Sequence, residues 1–258
     1  MSGAPRRFAW RFLGPPLLLL AATLAVLAAD ANLTLWIALR EHLLPWGATS
    51  WSALTLVGDA LVTPLLIVPF LHRRRALAVE ALLAALLATA GVHLLKPLVH
   101  MPRPAAVIDG IVVIGPRLMA GSFPSGHTAS AFTVLGLLVL GGLVRGWLPA
   151  LAALGLALLV GLSRVVVGAH WPADVLAGAA LGWCSAGLAV VLVHRWRCAA
   201  RPAWLPGVLL LLALVAGFDL FGHDTGYPAG LWLQRILAAL TLPLLLWQWQ
   251  HARVREGN

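Results

Sequence analysis

Charged side chains are scarce in this chain. Asp, Glu, Lys and Arg make up 10% of the 258 residues, whereas hydrophobic residues make up 61%. Because soluble domains carry roughly a quarter charged residues, this composition excludes an ordinary water-soluble fold. Apolar runs such as residues 148–168 are long enough to cross a bilayer core of about 30 Å as helices. The sequence therefore predicts an all-α, polytopic membrane helical bundle.

Cysteines and grouped acidic residues are also scarce, and each shortage excludes a class of site. The two cysteines are Cys184, within an apolar run, and Cys198, in a basic segment. A helix between them would separate them by about 20 Å, too far for a disulfide. Asp219, His223 and Asp224 lie close in sequence, but in a Gly-rich segment that is typical of a solvated outer loop. We therefore expect no disulfide, no metal site and no other cofactor.

Apolar runs separated by polar breaks predict eight membrane spans. These runs cover residues 13–29, 51–71, 76–96, 126–144, 148–168, 173–194, 204–220 and 229–249. The first run follows Arg6 and Arg7 and resembles a signal peptide, and we expect it to be retained as a helix. Between the first two runs, apolar residues near helical spacing in residues 31–47 predict a helix that lies in the outer membrane interface.

Basic residues are distributed unequally between the two predicted sides. If the chain starts in the cytoplasm, twelve of the eighteen fall on that side: Arg6, Arg7, Arg11, Arg73, Arg74, Arg75, Arg145, Arg195, Arg197, Arg201, Arg253 and Arg255. Because cytoplasmic segments carry the excess of Lys and Arg, this asymmetry predicts that both termini are cytoplasmic. The basic residues form short clusters between spans, which argues against nucleic-acid binding despite the net charge of +9.

Three polar fragments interrupt the apolar sequence on the opposite, outer side. They read "KPLVHMPRP" (96–104), "FPSGHTAS" (123–130) and "SRVVVGAHWPAD" (163–174). Three of the six basic residues on that side, Lys96, Arg103 and Arg164, lie within these fragments. The side predicted to be poor in cations thus concentrates them at one place. This concentration predicts an anion-binding site that is built from all three fragments.

The residue types suit a phosphate ester. A phosphate group carries up to two negative charges and spreads charge over its oxygens during transfer, which Lys96, Arg103 and Arg164 would stabilise. Ser125 and Gly126 stand where the fourth span begins, so free backbone N–H groups of a helix N-terminus would point at the same oxygens. We therefore expect these five residues to bind substrate.

Two histidines and one carboxylate suit an in-line displacement. His170 would attack phosphorus as a neutral imidazole and form a phosphohistidine. Asp174 would accept the other ring N–H of His170 and so orient the ring. His127 would protonate the leaving oxygen and then activate the water that cleaves the intermediate. We expect these three residues to be catalytic and no metal to be required.

The residue pattern of the three fragments resembles the tripartite signature of the type 2 phosphatidic acid phosphatase superfamily. This superfamily includes the vanadium haloperoxidases and glucose-6-phosphatase. The fragments read K-x6-R-P, P-S-G-H and S-R-x5-H-x3-D, in that order. The resemblance implies the same roles for His170, His127 and Asp174. It covers about residues 50–195 and implies a six-helix phosphatase core. We therefore divide the chain into residues 1–50 (first span and interfacial helix), 51–195 (core) and 196–258 (two additional spans and a cytoplasmic tail).

Together these features predict an integral-membrane phosphatase that hydrolyses a phosphate mono- or pyrophosphate ester of a membrane lipid. Composition suggests a bacterial inner membrane, and the topology puts the site on the periplasmic side. Undecaprenyl pyrophosphate is the first candidate because it is released on that face. Phosphatidylglycerol phosphate, phosphatidic acid and lipid A phosphate are the others. The sequence is also compatible with a lipid-to-lipid phosphotransferase that uses the same site, or with a non-catalytic lipid phosphate transporter or scaffold.

Overall fold

The computed structural model describes residues 4–72, 74, 76–196 and 205–254, and these residues form a helical bundle. Its α-helices are α1 (Ala4–Ala28), α2 (Asn32–Leu43), α3 (Ala48–Val57), α4 (Ala76–Val99), α5 (Pro104–Val107), α6 (Gly126–Leu140), α7 (Trp147–Val166), α8 (Pro172–Trp196), α9 (Leu205–Phe221) and α10 (Leu231–Val254). Short 3₁₀ helices cover Leu44–Trp46, Thr63–Phe70 and Pro228–Gly230.

The predicted membrane bundle is confirmed. Among the described residues, five helices are long and apolar enough to cross a membrane: Phe8–Ala28, Ala76–Val107, Trp147–Val166, Pro172–Trp196 and Pro228–His251. Two further apolar helices, α6 and α9, are shorter, with 15 and 17 residues. Seven of the eight predicted spans therefore correspond to continuous helices.

The predicted second span, residues 51–71, is wrong as a single helix. The structure breaks it into α3, which ends at Val57, and the 3₁₀ helix Thr63–Phe70. Pro64 has no N–H and disfavours helical geometry in the residue before it, which favours the break. The Thr63 hydroxyl donates to the carbonyls of Val57 and Asp59, at 2.8 and 2.6 Å, and so satisfies acceptors that the break exposes.

The fourth predicted span also ends earlier than expected. Helix α6 stops at Leu140, whereas the apolar run continues to residue 144. Gly142 adopts a φ of +70°, a left-handed conformation that glycine accepts at little cost and that ends helices. With 15 residues, α6 is about 22 Å long and is shorter than the hydrocarbon core of a typical bilayer.

Helix α8 lies at the centre of the bundle and packs most extensively against α1, α4 and α6. Two glycines allow the close approach of α6. A Cβ on Gly178 would lie 2.5 Å from the carbonyl oxygen of Ser125, and a Cβ on Gly182 would lie 2.1 Å from that of Ala129. Any larger residue would push the helices apart. The glycines thereby hold the P-S-G-H segment against the N-terminal turn of α8.

Helix α2 forms where the sequence predicted an interfacial helix, but its inward face is packed. Trp36 and Arg40 are buried, and the Arg40 guanidinium lies over the Trp36 ring, 4.6 Å from its centroid. Arg40 also donates to the carbonyl oxygen of Val112 at 2.7 Å. The Trp36 and Trp171 rings lie 6.0 Å apart. Helix α2 therefore covers the segment that follows α7.

Several residues behind the predicted topology lie outside the described residues. These are Cys198 and the basic residues Arg73, Arg75, Arg197, Arg201 and Arg255. The cytoplasmic position of the termini and the division of the chain at residues 50 and 195 stay predictions.

Candidate active site

The segment after α4 is folded back so that Arg103 points into the bundle. The Arg103 backbone N–H donates to the carbonyl of Met119 at 3.0 Å. Its guanidinium donates to the carbonyls of Ala120 and Ala169, both at 3.0 Å, and of Gly121 at 3.3 Å. Only 5% of Arg103 is exposed. These bonds join the first polar fragment to the third, as the sequence predicted.

His170 and Asp174 stand on either side of the α8 N-terminus and are both buried. The Nδ1 atom of His170 lies 3.3 Å from Oδ2 of Asp174. The same oxygen accepts from the hydroxyl of Ser122 at 2.5 Å and from the backbone N–H of Trp171 at 2.8 Å. The Trp171 bond joins the third helical residue to the residue before α8, as a capping box does. The bonds from Ser122 and Trp171 therefore fix the orientation of the Asp174 carboxylate independently of His170.

The protonation of the His170 ring follows from its two neighbours. Nη1 of Arg103 lies 3.5 Å from Nε2 of His170, and a guanidinium can only donate. Nε2 must then be the acceptor, and the ring proton must be on Nδ1, where it is donated to Asp174. The lone pair of Nε2 consequently faces the cation instead of the carboxylate. This is the tautomer that the nucleophilic role requires.

The surroundings of His170 keep its ring neutral. Only 2% of the residue is exposed. Burial lowers the pKa of His170 well below its usual range, and the positive charges of Arg103, Arg164 and Lys96 lower this pKa further. A neutral imidazole is the form that has a nucleophilic lone pair.

Arg164 reaches the site from the last turn of α7. Its Nη1 donates to the hydroxyl of Tyr227 at 2.8 Å and to Oγ1 of Thr55 at 3.4 Å. The Thr55 hydroxyl in turn lies 2.7 Å from that of Ser163. Tyr227, the single tyrosine of the chain, was not predicted as a site residue. Its position after α9 on the predicted outer side was the only sequence signal for it.

Ser125 forms structural hydrogen bonds, and the substrate contact that we expected of it stays a prediction. Its Oγ accepts from the backbone N–H of Thr128 at 3.4 Å and from the Thr128 hydroxyl at 2.9 Å, and so caps α6. Its own N–H donates to the carbonyl of Asp174 at 3.0 Å. Ser125 therefore joins α6 to α8. The N–H groups of Gly126 and His127, in the first turn of α6, have no acceptor within their own helix.

His127 brings the second fragment to the same place. It interacts electrostatically with Arg164, His170, Arg103 and Lys96. Its Nε2 is buried, and no described residue forms a hydrogen bond with it. Gly58 at the break after α3 lies against it, because a Cβ there would come within 3.1 Å of the His127 Cβ.

Lys96 completes the cluster from the end of α4 and interacts electrostatically with Arg103, Arg164 and Asp174. Lys96, Gly126 and His127 line one end of a cavity of about 460 Å³. The structure thus brings together all of the predicted site residues: Lys96, Arg103, Ser125, Gly126, His127, Arg164, His170 and Asp174.

The polar residues after α9 form a separate contact. Nδ1 of His223 lies 2.6 Å from Oδ1 of Asp219 and 4.0 Å from Oδ1 of Asp59. Asp224 instead accepts from the backbone N–H of Gly226 at 2.8 Å. Within the described ranges, no three His, Cys, Asp or Glu side chains are grouped as metal ligands would be.

A comparison with known families agrees with this geometry. The model of the PAP2 superfamily matches residues 77–198, which include all eight site residues. The resemblance to this superfamily that the three fragments predicted is confirmed over these residues. Helices α9 and α10 and the loop that carries Tyr227 lie beyond the matched region.

Several curated proteins and solved structures are similar to this chain. The chain is 31% identical over 125 residues to an undecaprenyl-diphosphatase of Sulfolobus acidocaldarius, which is 48% of this chain and 58% of that protein. The Aquifex aeolicus LpxE crystal structure aligns with a TM-score of 0.56 at 28% identity and covers 62% of this chain and 95% of that one. A phosphatidylglycerolphosphate phosphatase of Bacillus subtilis shares the fold, with a TM-score of 0.52 at 23% identity over 72% of this chain and 97% of that one. The chain spans between 14% and 58% of the length of four curated relatives that it matches.

Proposed function

We propose that this protein is a membrane lipid phosphatase that cleaves a phosphate ester through a phosphohistidine at His170. One observation carries the proposal. Nδ1 of the buried imidazole is held by Asp174, and Nε2, with its lone pair, faces the Arg103 guanidinium. An anion bound by that guanidinium would lie next to the nucleophilic nitrogen.

The first step forms a bond between Nε2 of His170 and phosphorus and breaks the bond between phosphorus and the leaving oxygen. The positive charge that develops on the ring is stabilised by Asp174, which keeps the Nδ1 proton. His127, in its protonated form, gives a proton to the leaving oxygen. The products are a phosphohistidine and the lipid alcohol or, for a pyrophosphate substrate, the lipid monophosphate.

The second step uses the same groups in reverse. Neutral His127 takes a proton from a water molecule, whose oxygen attacks phosphorus as the bond to Nε2 breaks. Inorganic phosphate leaves, His170 is again neutral, and His127 is again protonated. Because the leaving group and the attacking water occupy the same side of phosphorus, one histidine can serve both.

The charges of the cluster support a phosphate as the ligand. Lys96, Arg103 and Arg164 interact electrostatically with one another, and the carboxylate of Asp174 interacts with Lys96 and Arg103. A phosphate group carries about −1.5 to −2 charges at neutral pH, which would neutralise the excess. The N–H groups of Gly126 and His127 add donors at a helix N-terminus, where anions bind favourably. No step assigned here requires a metal ion.

Membrane location and similarity to lipid phosphatases support a lipid ester as the substrate. Undecaprenyl pyrophosphate stays the first candidate, and phosphatidylglycerol phosphate, phosphatidic acid and lipid A phosphate stay alternatives. The names of the relatives include an undecaprenyl-diphosphatase and a lipid A 4′-phosphatase of Helicobacter pylori, the latter 36% identical over 74 residues. We propose that the site faces the periplasm of a bacterial plasma membrane, with both termini in the cytoplasm.

Phosphate release by the purified protein tests this function. The four lipid phosphates would be supplied in detergent micelles, with and without EDTA. We expect release from at least one lipid, insensitive to EDTA. Binding without release would favour a transporter or scaffold, and transfer of label to an added lipid alcohol without free phosphate would favour a phosphotransferase. Complete loss with EDTA would contradict the metal-independent mechanism.

A further inference from the structure

The cavity that begins at Lys96 and His127 continues far into the membrane part of the bundle. On α4 it is lined from Lys96 down to Ala78, eighteen residues away. At about 1.5 Å per residue this distance is roughly 27 Å, close to the thickness of the hydrocarbon core. Its volume of about 460 Å³ falls within the range of small-molecule pockets.

The wall on α4 consists largely of small side chains that face one direction. Ala78, Ala81, Ala85 and Ala88 recur at helical spacing and all line the cavity, followed by Val92. Residues three and four apart share a helix face, so these methyl groups form a shallow apolar surface along α4. Larger residues here would fill the space that the cavity occupies.

The opposite wall comes from a part of the chain beyond the PAP2 match. Val208, Leu211, Leu212 and Val215 of α9 line the cavity. Helix α10 supports α9 and is tied to the bundle by Gln248, whose side-chain amide donates to the carbonyl of Val68 at 2.9 Å. Helix α9 therefore lines the cavity, and α10 holds α9 against the bundle.

The cavity opens sideways between α4 and α9. Thr89 and Leu211 both line it and are both exposed at the surface of the bundle, where Leu211 is 45% exposed. In a membrane that surface faces lipid. A chain in the bilayer can therefore enter from the side, while a phosphate at its end reaches Lys96 and His127.

We propose that this cavity binds the hydrocarbon chain of the substrate and that α9 forms the wall that completes it. The proposal rests on the proposed function, because it assigns the polar end of the cavity to the phosphate. It commits to a lipid with at least one long apolar chain attached to the phosphate. It also gives α9 and α10 a function, namely substrate selection by chain length.

Each lining position on α4 corresponds to a different depth in the cavity, so substitutions along α4 can measure how far the substrate chain extends. Ala88 lies eight residues before Lys96, about 12 Å along the helix, whereas Ala81 lies fifteen residues before it, about 22 Å. Phenylalanine at either position would block the cavity at that depth. Ala88→Phe should therefore exclude medium and long chains, and Ala81→Phe should exclude only long ones. Val215→Phe would test the wall on α9 in the same way.

The test measures kcat/KM for phosphate release from hexyl, dodecyl and docosyl phosphate in a detergent that keeps the protein folded. Each methylene moved out of water contributes about fourfold to affinity, so exclusion of a few carbons gives at least a tenfold change. We expect the docosyl-to-hexyl ratio to fall more than tenfold in all three variants. The dodecyl-to-hexyl ratio should fall with Ala88→Phe and be unchanged with Ala81→Phe.

Leu86→Phe on α4 and Leu214→Phe on α9 are matched controls. Both residues are exposed, at 59% and 63%, and neither lines the cavity. Both controls should keep the wild-type ratios, and size-exclusion profiles should show that all variants remain folded. Wild-type ratios in all three cavity variants would overturn the proposal, as would an equal loss with every ester. A wild-type protein that releases phosphate from no ester or lipid would instead contradict the proposed function.

Discussion

Helices α4 and α8 carry a buried polar cluster at each end, and the two clusters differ in kind. At one end, Glu80 of α4 is fully buried and pairs with Arg74, while Nδ1 of His194 on α8 lies 3.5 Å from it. At the other end, Lys96 of α4 and Asp174 of α8 belong to the candidate active site. The same two helices thus hold one cluster whose charges balance and one in which cations are in excess.

The difference shows how buried charge can indicate either structure or function. Glu80 has a cationic partner, and Arg74 also donates to the carbonyl of Gly141 at 2.5 Å. Burial of a charge is tolerated when it is paired in this way. The other cluster holds the cations Lys96, Arg103 and Arg164 with the carboxylate of Asp174. Atoms without a hydrogen bond occur in both clusters, such as Oε1 of Glu80 and Nε2 of His127, so the balance of charge is what separates the two.

Among substitutions in the two clusters, replacement of the nucleophile should lower activity the most. We expect His170→Ala to lower kcat for phosphate release by about 10⁴-fold or more, as removal of a nucleophile does in other enzymes. Labelled lipid phosphate should leave acid-labile, alkali-stable label on the wild-type protein and none on the variant. Equal release by both proteins would eliminate the phosphohistidine mechanism.

Breaking the paired cluster should alter stability and leave catalysis intact. Glu80→Ala removes the partner of Arg74, and loss of one member of a buried pair is strongly destabilising. Because the Arg74 side chain is 26% exposed, we expect a smaller cost of about 2 kcal/mol, seen as a lower melting temperature in detergent.

Glu80→Gln is the control for that measurement, since it keeps an acceptor for Arg74. It should recover part of the stability, and kcat measured on folded protein should match the wild type in both variants. A large loss of kcat in folded Glu80→Ala would show that the two clusters are not independent.

The sequence identified residues that the structure brings together, but it did not predict where each surrounding helix breaks or ends. Lys96, Arg103 and Arg164 stood out because a cation in an apolar chain is costly and therefore informative. Hydrophobicity alone predicted a continuous span over residues 51–71, because Leu, Val and Ile are equally apolar in an α-helix and in the 3₁₀ helix that forms there. The true geometry depends on Pro64 and on where the Thr63 hydroxyl finds acceptors.

Contacts made by common polar residues were the least predictable part. Ser122 binds Asp174 although it lies outside the three polar fragments, whereas Ser125, which lies within one of them, caps α6. Tyr227 reaches Arg164 only because α9 and α10 fold back onto α3 and the bundle. A contact between residues 63 positions apart depends on this tertiary packing, which composition and spacing do not encode.

The pH dependence of kcat/KM should respond to charges in the active-site cluster and not to charges in the Glu80 cluster. Because the pKa of His170 lies well below 6.5, the ring is neutral at and above that pH, and kcat/KM should begin to fall only below it. Below pH 6.5 the unfolded chain binds a proton that folded His170 does not, so stability also falls as the pH is lowered.

Arg103→Gln removes a cation that lowers this pKa and should move the acid limb to higher pH, whereas Arg74→Gln should leave the limb in place. The check is the midpoint of the limb in kcat/KM, which is independent of the absolute rate. A limb that moves equally in both variants would contradict the electrostatic assignment.

The smallest expected effect concerns the contact between the C-terminal loop and the site. Tyr227→Phe removes the hydroxyl that accepts from Arg164 at 2.8 Å but keeps the ring, 5.6 Å from the guanidinium carbon. A hydrogen bond to a charged group contributes about 1.5–3 kcal/mol, so loss of orientation in Arg164 should raise KM about tenfold. We expect kcat to change little, because Tyr227 positions Arg164 and does not itself act on phosphorus.

Thr55→Val, which removes the longer contact of Arg164 at 3.4 Å, should raise KM less. A fall in kcat at constant KM would instead show that Tyr227 takes part in the chemical step.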